Sequence, residues 1–182
     1  TPTRELCMQV ANACRDLRGQ GGPARVVAVY GGQPIGGQMR ALQRGAQIVV
    51  GTPGRVLDLL ERGALDFSGL DTFVLDEADE MLQMGFVEDI EAILGHAPKD
   101  RPRQMALFSA TMTPAVRRIA ETHMKDPVDA RVTPKQATAP DIAHQVILCH
   151  DADRLEILER LIEVENVESA LVFVRTRQGC AD

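Results

Sequence analysis

Short Val- and Ile-rich runs that alternate with amphipathic helical patterns predict an α/β fold built on a parallel sheet. The runs ARVVAVY (24–30), AQIVV (46–50), TFVL (72–75) and QMALF (104–108) are apolar along their length, which suits strands covered on both faces. Between and around them, RELCMQVANACRDL (4–17), GRVLDLLERG (54–63), DIEAILGH (89–96) and AVRRIAETHM (115–124) carry apolar residues three or four apart, the spacing of one helix face. Strand and helix in alternation imply parallel pairing through right-handed crossovers. That class exposes its chemistry at the carboxyl ends of the strands, so the residues just past each strand are the candidates.

The later chain extends the pattern without completing it. Residues 133–143, TPKQATAPDIA, hold two prolines among small and polar neighbours and read as a linker. After it come strand QVILC (145–149), helix DRLEILERLIEVE (153–165) and strand ALVFV (170–174), too little for a core of their own. The expected organisation is a domain over 1–132, a linker over 133–143 and the opening of a second domain over 144–182. The 182 residues start at Thr1 and stop at Asp182 soon after an apolar run, so the chain is expected to be cut at both ends.

Composition narrows the function. The apolar fraction of 45% suffices for a real core. The net charge of -6 gives no overall positive field, so any nucleic acid must be held by local loops and helix ends. Tryptophan is absent and aromatics make up 3%, which argues against aromatic base-stacking platforms. Cys7, Cys14, Cys149 and Cys180 form no C-x-x-C pair and read as reduced thiols of a cytosolic protein; Cys7 and Cys14, seven apart on one helix, suit core packing. The four histidines are dispersed and form no metal constellation. Nothing resembles a signal peptide or a membrane span.

Four strand tips carry the chemistry. TFVL runs into Asp76, Glu77, Ala78 and Asp79. At a strand end one carboxylate suits a hydrated Mg2+ and its neighbour a water to be oriented or deprotonated; equally, acids favour the first turn of a helix. QMALF ends in Ser109, Ala110 and Thr111, whose hydroxyls can reach Asp76 or Asp79, or simply form a turn before a helix capped by Thr113 with Pro114 first. TPTR (1–4) and TPGR (52–55) repeat Thr-Pro-x-Arg at two expected helix starts, each with Thr as cap, free N–H groups and an arginine, Arg4 or Arg55: a phosphate seat, or a well-capped helix. Gly31 and Gly32 follow ARVVAVY, where backbone can approach a ligand or turn freely. The glycine spacing in GGQPIGGQMR mimics a phosphate-binding loop, but Gln38 and Met39 stand where Lys and Ser or Thr are required. ALVFV gives way to Arg175, Thr176 and Arg177, tip residues of the second domain.

Taken together these residues resemble a DEAD-box ATP-dependent RNA helicase. Asp76-Glu77-Ala78-Asp79 is the tetrapeptide that names the family, and PTREL (2–6), Gly31-Gly32, TPGR (52–55), SAT (109–111) and LVFVRTR (171–177) resemble its other motifs in the family's order. The resemblance implies two RecA-like parallel sheets flanked by helices, the first incomplete and the second only begun, closing over ATP and a single RNA strand. It implies a catalytic set of Asp76, Glu77, Asp79, Ser109 and Thr111, with Asp76 holding Mg2+ through water and Glu77 activating the hydrolytic water. Ser109 and Thr111 would couple hydrolysis to strand separation. Pro2, Thr3, Arg4, Gly31, Gly32, Thr52, Pro53, Gly54, Arg55, Arg175 and Thr176 would touch RNA, through its backbone and so with little sequence preference. The family's phosphate-binding loop and adenine-reading glutamine lie upstream of PTREL, and its arginine motif lies beyond the point matching Asp182. The 182-residue piece is therefore expected to lack appreciable ATPase activity and to be poorly stable alone, and its parent to work in the cytoplasm. A non-catalytic RNA-binding module, which keeps the grip without the motor, is one alternative; a DNA-acting helicase is the other, because no residue is assigned to reading a 2′-hydroxyl.

Overall fold

The computed structural model describes residues 1–19, 21–98, 101–132, 143 and 145–174. These fall into two compact units, Thr1–Ala130 and Arg131–Asp182. In the first unit the order is α1 (Arg4–Arg18), β1 (Val26–Val29), α2 (Ile35–Gln43), β2 (Ile48–Gly51), α3 (Pro53–Glu61), β3 (Thr72–Leu75), α4 (Ala78–Gln83), α5 (Val87–Gly95), β4 (Gln104–Leu107) and α6 (Pro114–His123). Both strand pairs are parallel, β1 with β2 (Val26 opposite Ile48) and β3 with β4 (Thr72 opposite Gln104). The α/β class with parallel pairing is what the sequence implies. The described strands form two separate two-stranded sheets, however, rather than one continuous sheet.

The β1–β2 pair is a sandwiched layer, and its side-chain alternation decides what lies on each face. Val26 and Val50 meet Cys7 and Ala11 of α1 on one side. Val27 and Val29 meet Leu42 of α2 and Leu59 of α3 on the other. The Cys7 side chain is fully buried, its Sγ donating to the Val50 carbonyl at 3.2 Å, and burial pushes its thiol pKa up. Gly51 ends β2 because nothing larger fits: a Cβ there would collide with the Val56 and Val29 side chains.

The β3–β4 pair is covered differently. Phe73, Leu75, Met105 and Leu107 point to a core with Met81, Ile90, Leu94, Val116 and Ile119 from α4, α5 and α6. On the opposite face Val74 is 50% exposed, so TFVL, expected to be covered on both faces, is covered on one among the described residues. Its uniformly apolar sequence does not report which side is filled.

Helix α2 lies in a stretch where no helix was expected, since Pro34, Gly36 and Gly37 obscure the Ile35, Met39 and Leu42 spacing. In the second unit, a 3-10 turn (Asp151–Asp153) leads into α7 (Arg154–Val164), which corresponds to the expected helix. The expected strands over 145–149 and 170–174 are not formed. Val146 and Leu148 in the one, and Leu171 and Phe173 in the other, are exposed, and with no ladder to satisfy its backbone an apolar run has no reason to be a strand. Most of the expected linker, together with Arg175 and Thr176, lies outside the described residues.

Candidate functional site

The acidic tip is built by one backbone turn. After Leu75 the chain must leave the sheet and start α4 within two residues, and Glu77 makes that turn in the left-handed region, φ 55 and ψ 50. For a residue with a Cβ this costs roughly 1–3 kcal/mol and is a feature of functional sites. The turn leaves Asp76 half-buried and Glu77 exposed, while Asp79, the second residue of α4, swings inward and is only 6% exposed.

Strand β4 ends beside it. The Phe108 N–H donates to the Leu75 carbonyl at 2.8 Å and the Ala78 N–H to the Phe108 carbonyl at 3.0 Å, so the pairing continues past both strands. This delivers Ser109 and Thr111 to Asp79. Thr111 donates to Asp79 Oδ2 twice, from its hydroxyl at 2.6 Å and its N–H at 2.8 Å. The Asp79 N–H donates to Ser109 Oγ at 3.3 Å, and that hydroxyl donates to the Thr111 carbonyl at 2.8 Å. The Thr111 hydroxyl bond, above all, holds the Asp79 carboxyl down to about 2. Of the two carboxylates the sequence left open, the hydroxyls take Asp79. Asp79 Oδ1 is buried without a partner among the described residues.

The helix starts form a second cluster at the ends of β1 and β2. In the first Thr-Pro-x-Arg copy the cap is Thr3, not Thr1: its hydroxyl accepts from the Leu6 N–H at 3.2 Å, and α1 begins at Arg4. The expectation that Thr1 caps is thereby corrected; Thr1 instead donates its amino group to the Gly51 carbonyl at 3.0 Å. In the second copy Thr52 sits at the cap of α3 with Pro53 first, but its hydroxyl makes no capping bond. Pro2, Thr52 and Pro53 are buried and shape the backbone, whereas Arg4, Gly32 and Gly54 are exposed.

The glycine loop joins the two helix starts. Gly32 has φ +76, a conformation that strains any residue with a Cβ, and the tip of the Arg4 side chain lies beside it. Arg55 Nη2 donates to the Gln33 carbonyl at 3.1 Å, and Nε lies 4.0 Å from Asp58 Oδ2. Arg55 Nη1 is buried without a partner among the described residues. The structure thus brings Arg4, Gly31, Gly32 and Arg55 to one place. Gln38, which the sequence reading noticed only for defeating a false motif, also belongs here: its amide bonds both the N–H and the carbonyl of Tyr30.

Parallel strand pairs with carboxylates and hydroxyls at one set of tips, and glycines and arginines at the other, define a RecA-like α/β domain. Comparison with known proteins agrees: residues 1–119 match the DEAD/DEAH box helicase family model. The chain is 46% identical over 181 of its 182 residues to the ATP-dependent RNA helicase DeaD of Haemophilus influenzae, covering 29% of that protein. It is 46% identical over 97% of its length to the DEAD-box ATP-dependent RNA helicase CshA of Geobacillus kaustophilus, covering 37% of it. Among solved structures, a DEAD box protein from the hyperthermophile Methanococcus jannaschii superposes with TM-score 0.67 at 40% identity, over 90% of this chain and 43% of that one. The chain belongs to the DEAD/DEAH box helicase family, and spans about a third of the length of these curated relatives.

Proposed function

We propose that this chain is the water-activating and RNA-gripping part of an ATP-dependent RNA helicase that couples ATP hydrolysis to local remodelling of RNA. Residues 1–132 are assigned to its first RecA-like domain, 133–143 to a linker and 144–182 to the start of the second; the division of the described chain after Ala130 supports this. One observation carries the reading. The Asp79 carboxylate is committed to Thr111 through Oδ2. The Asp76 and Glu77 carboxylates, at the same strand tip, accept no hydrogen bond among the described residues, and Asp76 lies within electrostatic reach of the Thr1 amino group. Two carboxylates at a strand tip are left without a hydrogen-bond partner among the described residues, and a third ties down the neighbouring tip.

The donor set at Asp76 fits Mg2+, a hard ion that takes oxygen ligands and keeps several waters, so Asp76 would hold it through water. When bound, the ion would neutralise charge on the phosphate oxygens. Glu77, projected by its left-handed backbone, orients the attacking water and accepts its proton. Asp79 keeps the Ser109–Thr111 loop in register with that turn, and any movement of the acidic tip is passed to β4 through the two Thr111 bonds.

RNA backbone is assigned to Thr3, Arg4, Gly31, Gly32, Gly54 and Arg55, with Pro2, Thr52 and Pro53 shaping the seat beneath. The partnerless Arg55 Nη1 supports a phosphate there. Arg175 and Thr176 are assigned to the second domain's contribution. The unpaired thiols of Cys7, Cys14 and Cys149 are in keeping with a cytoplasmic location. The test is Glu77→Gln in the full-length protein. It should lower ATP turnover by at least about 100-fold, the lower range for a lost general base, while ATP and RNA still bind. Turnover within a few-fold of the parent would refute the assignment.

A further inference from the structure

We infer that Gln38 is a positioning residue for RNA: its side-chain amide clasps the end of β1 and thereby sets the glycine loop that gathers Arg4 and Arg55. The inference rests on the RNA seat proposed above and adds a residue with no place in it.

The geometry begins with a vacancy in the sheet. Strand residues present their N–H and carbonyl to alternate sides. The Val29 carbonyl accepts from the Thr52 N–H, so the polar groups of Val29 face β2. Those of Tyr30, the next residue, therefore face away, along an edge of β1 with no strand partner among the described residues. Gln38 supplies both missing partners. Its Oε1 accepts from the Tyr30 N–H at 3.2 Å and its Nε2 donates to the Tyr30 carbonyl at 3.0 Å. One primary amide does what a residue of a neighbouring strand would do.

What this clasp closes is the short loop Gly31-Gly32-Gln33-Pro34. Two of its four residues are glycines, which lose the most conformational freedom on ordering, and Pro34 gives α2 no side-chain cap. Yet both arginines lie against this loop: the Arg4 guanidinium beside Gly32, and Arg55 bonded to the Gln33 carbonyl. Releasing the clasp frees the loop end next to Gly31 and loosens both arginines together. Among the described residues the Gln38 side chain hydrogen-bonds Tyr30 and none of Asp76, Glu77, Asp79, Ser109 or Thr111, so the effect falls on RNA and not on hydrolysis.

The experiment is steady-state RNA-stimulated ATPase in the full-length protein, with a single-stranded oligoribonucleotide as probe. Three variants are compared: Gln38→Met, similar in size without the amide; Gln38→Glu; and Arg55→Ala as reference. Gln38→Met should raise KM for RNA about tenfold, the scale of one or two net hydrogen bonds, with kcat at saturating RNA and KM for ATP within twofold of the parent. Gln38→Glu can accept from the Tyr30 N–H but sets a carboxylate oxygen against the Tyr30 carbonyl, so KM for RNA should rise at least as far. That variant decides the matter if the methionine protein does not fold. An unchanged KM for RNA in the Gln38 variants, with Arg55→Ala raising it, overturns this inference alone. A parallel rise in KM for ATP also overturns it, since Gln38 would then act on the fold at large. If Arg55→Ala leaves KM for RNA unchanged, the RNA seat itself is wrong.

Discussion

Asp79 fixes the relation between two strand tips, and its protonation state matters to how firmly. The Thr111 bonds lower its carboxyl to about 2 in the folded protein, from an unfolded value near 3.8. A depressed acid contributes stability above the unfolded value and loses it as pH falls through the folded one. Asp79→Asn should therefore destabilise the protein at pH 7 by about 1–3 kcal/mol, the range for disturbing a buried hydrogen-bonded group. The gap to the parent should close as pH drops from about 4 to about 2; denaturant unfolding across that range measures it, and a gap independent of pH would show the charge irrelevant. The residue types at this site were legible in the sequence, but which carboxylate the hydroxyls choose was not. That choice depends on the left-handed turn at Glu77, a conformation that a residue with a Cβ does not announce. The same turn gives a second prediction. Glu77→Gly should gain about 1 kcal/mol of stability by relieving the left-handed strain while abolishing turnover. A loss of stability would mean that the side chain makes a contact worth more than the strain.

The elements were legible wherever a strand or helix buries a face. Each half of the β1–β2 layer is filled by residues whose spacing the sequence displays: Cys7 and Ala11 four apart on α1, Val27 and Val29 two apart on β1. Where glycine and proline interrupt the spacing the sequence misleads, as at α2, whose Leu42 is nonetheless part of the core. The two halves of the layer meet in the alternation of β1, so a cavity under one side should be felt throughout. Leu59 of α3 is fully buried against Val27 and Val29. Leu59→Ala should cost about 2–5 kcal/mol, measured by chemical denaturation. Because α3 also carries Gly54 and Arg55 at its start, RNA affinity should fall with stability. A cost below 1 kcal/mol would mean that α3 is not anchored through this face.

On the scale of the whole chain, the division of core between the two units decides behaviour. In Thr1–Ala130 three clusters enclose the strand pairs. In Arg131–Asp182 no described residue is buried, and apolar side chains such as Leu148 and Phe173 are 94% and 88% exposed. The sequence made this much legible by count: one helix and two short runs cannot close a core. It overstated the runs themselves, because Val-rich composition records what a segment does once covered, not whether the cover is present. Amide exchange follows burial and hydrogen bonding, with openings ranging from near zero free energy to the global value. In the isolated 182-residue chain the amides of Val27 and Val29, laddered against β2 and enclosed on both faces, should exchange slowest. Those of Val146–Cys149 should exchange close to the rate of an unstructured peptide, since they have neither ladder nor cover. Mass-spectrometric exchange resolves the two segments directly. Comparable protection in both would require residues 145–149 to be paired and covered after all, and would remove the reason for treating the two units as separate bodies.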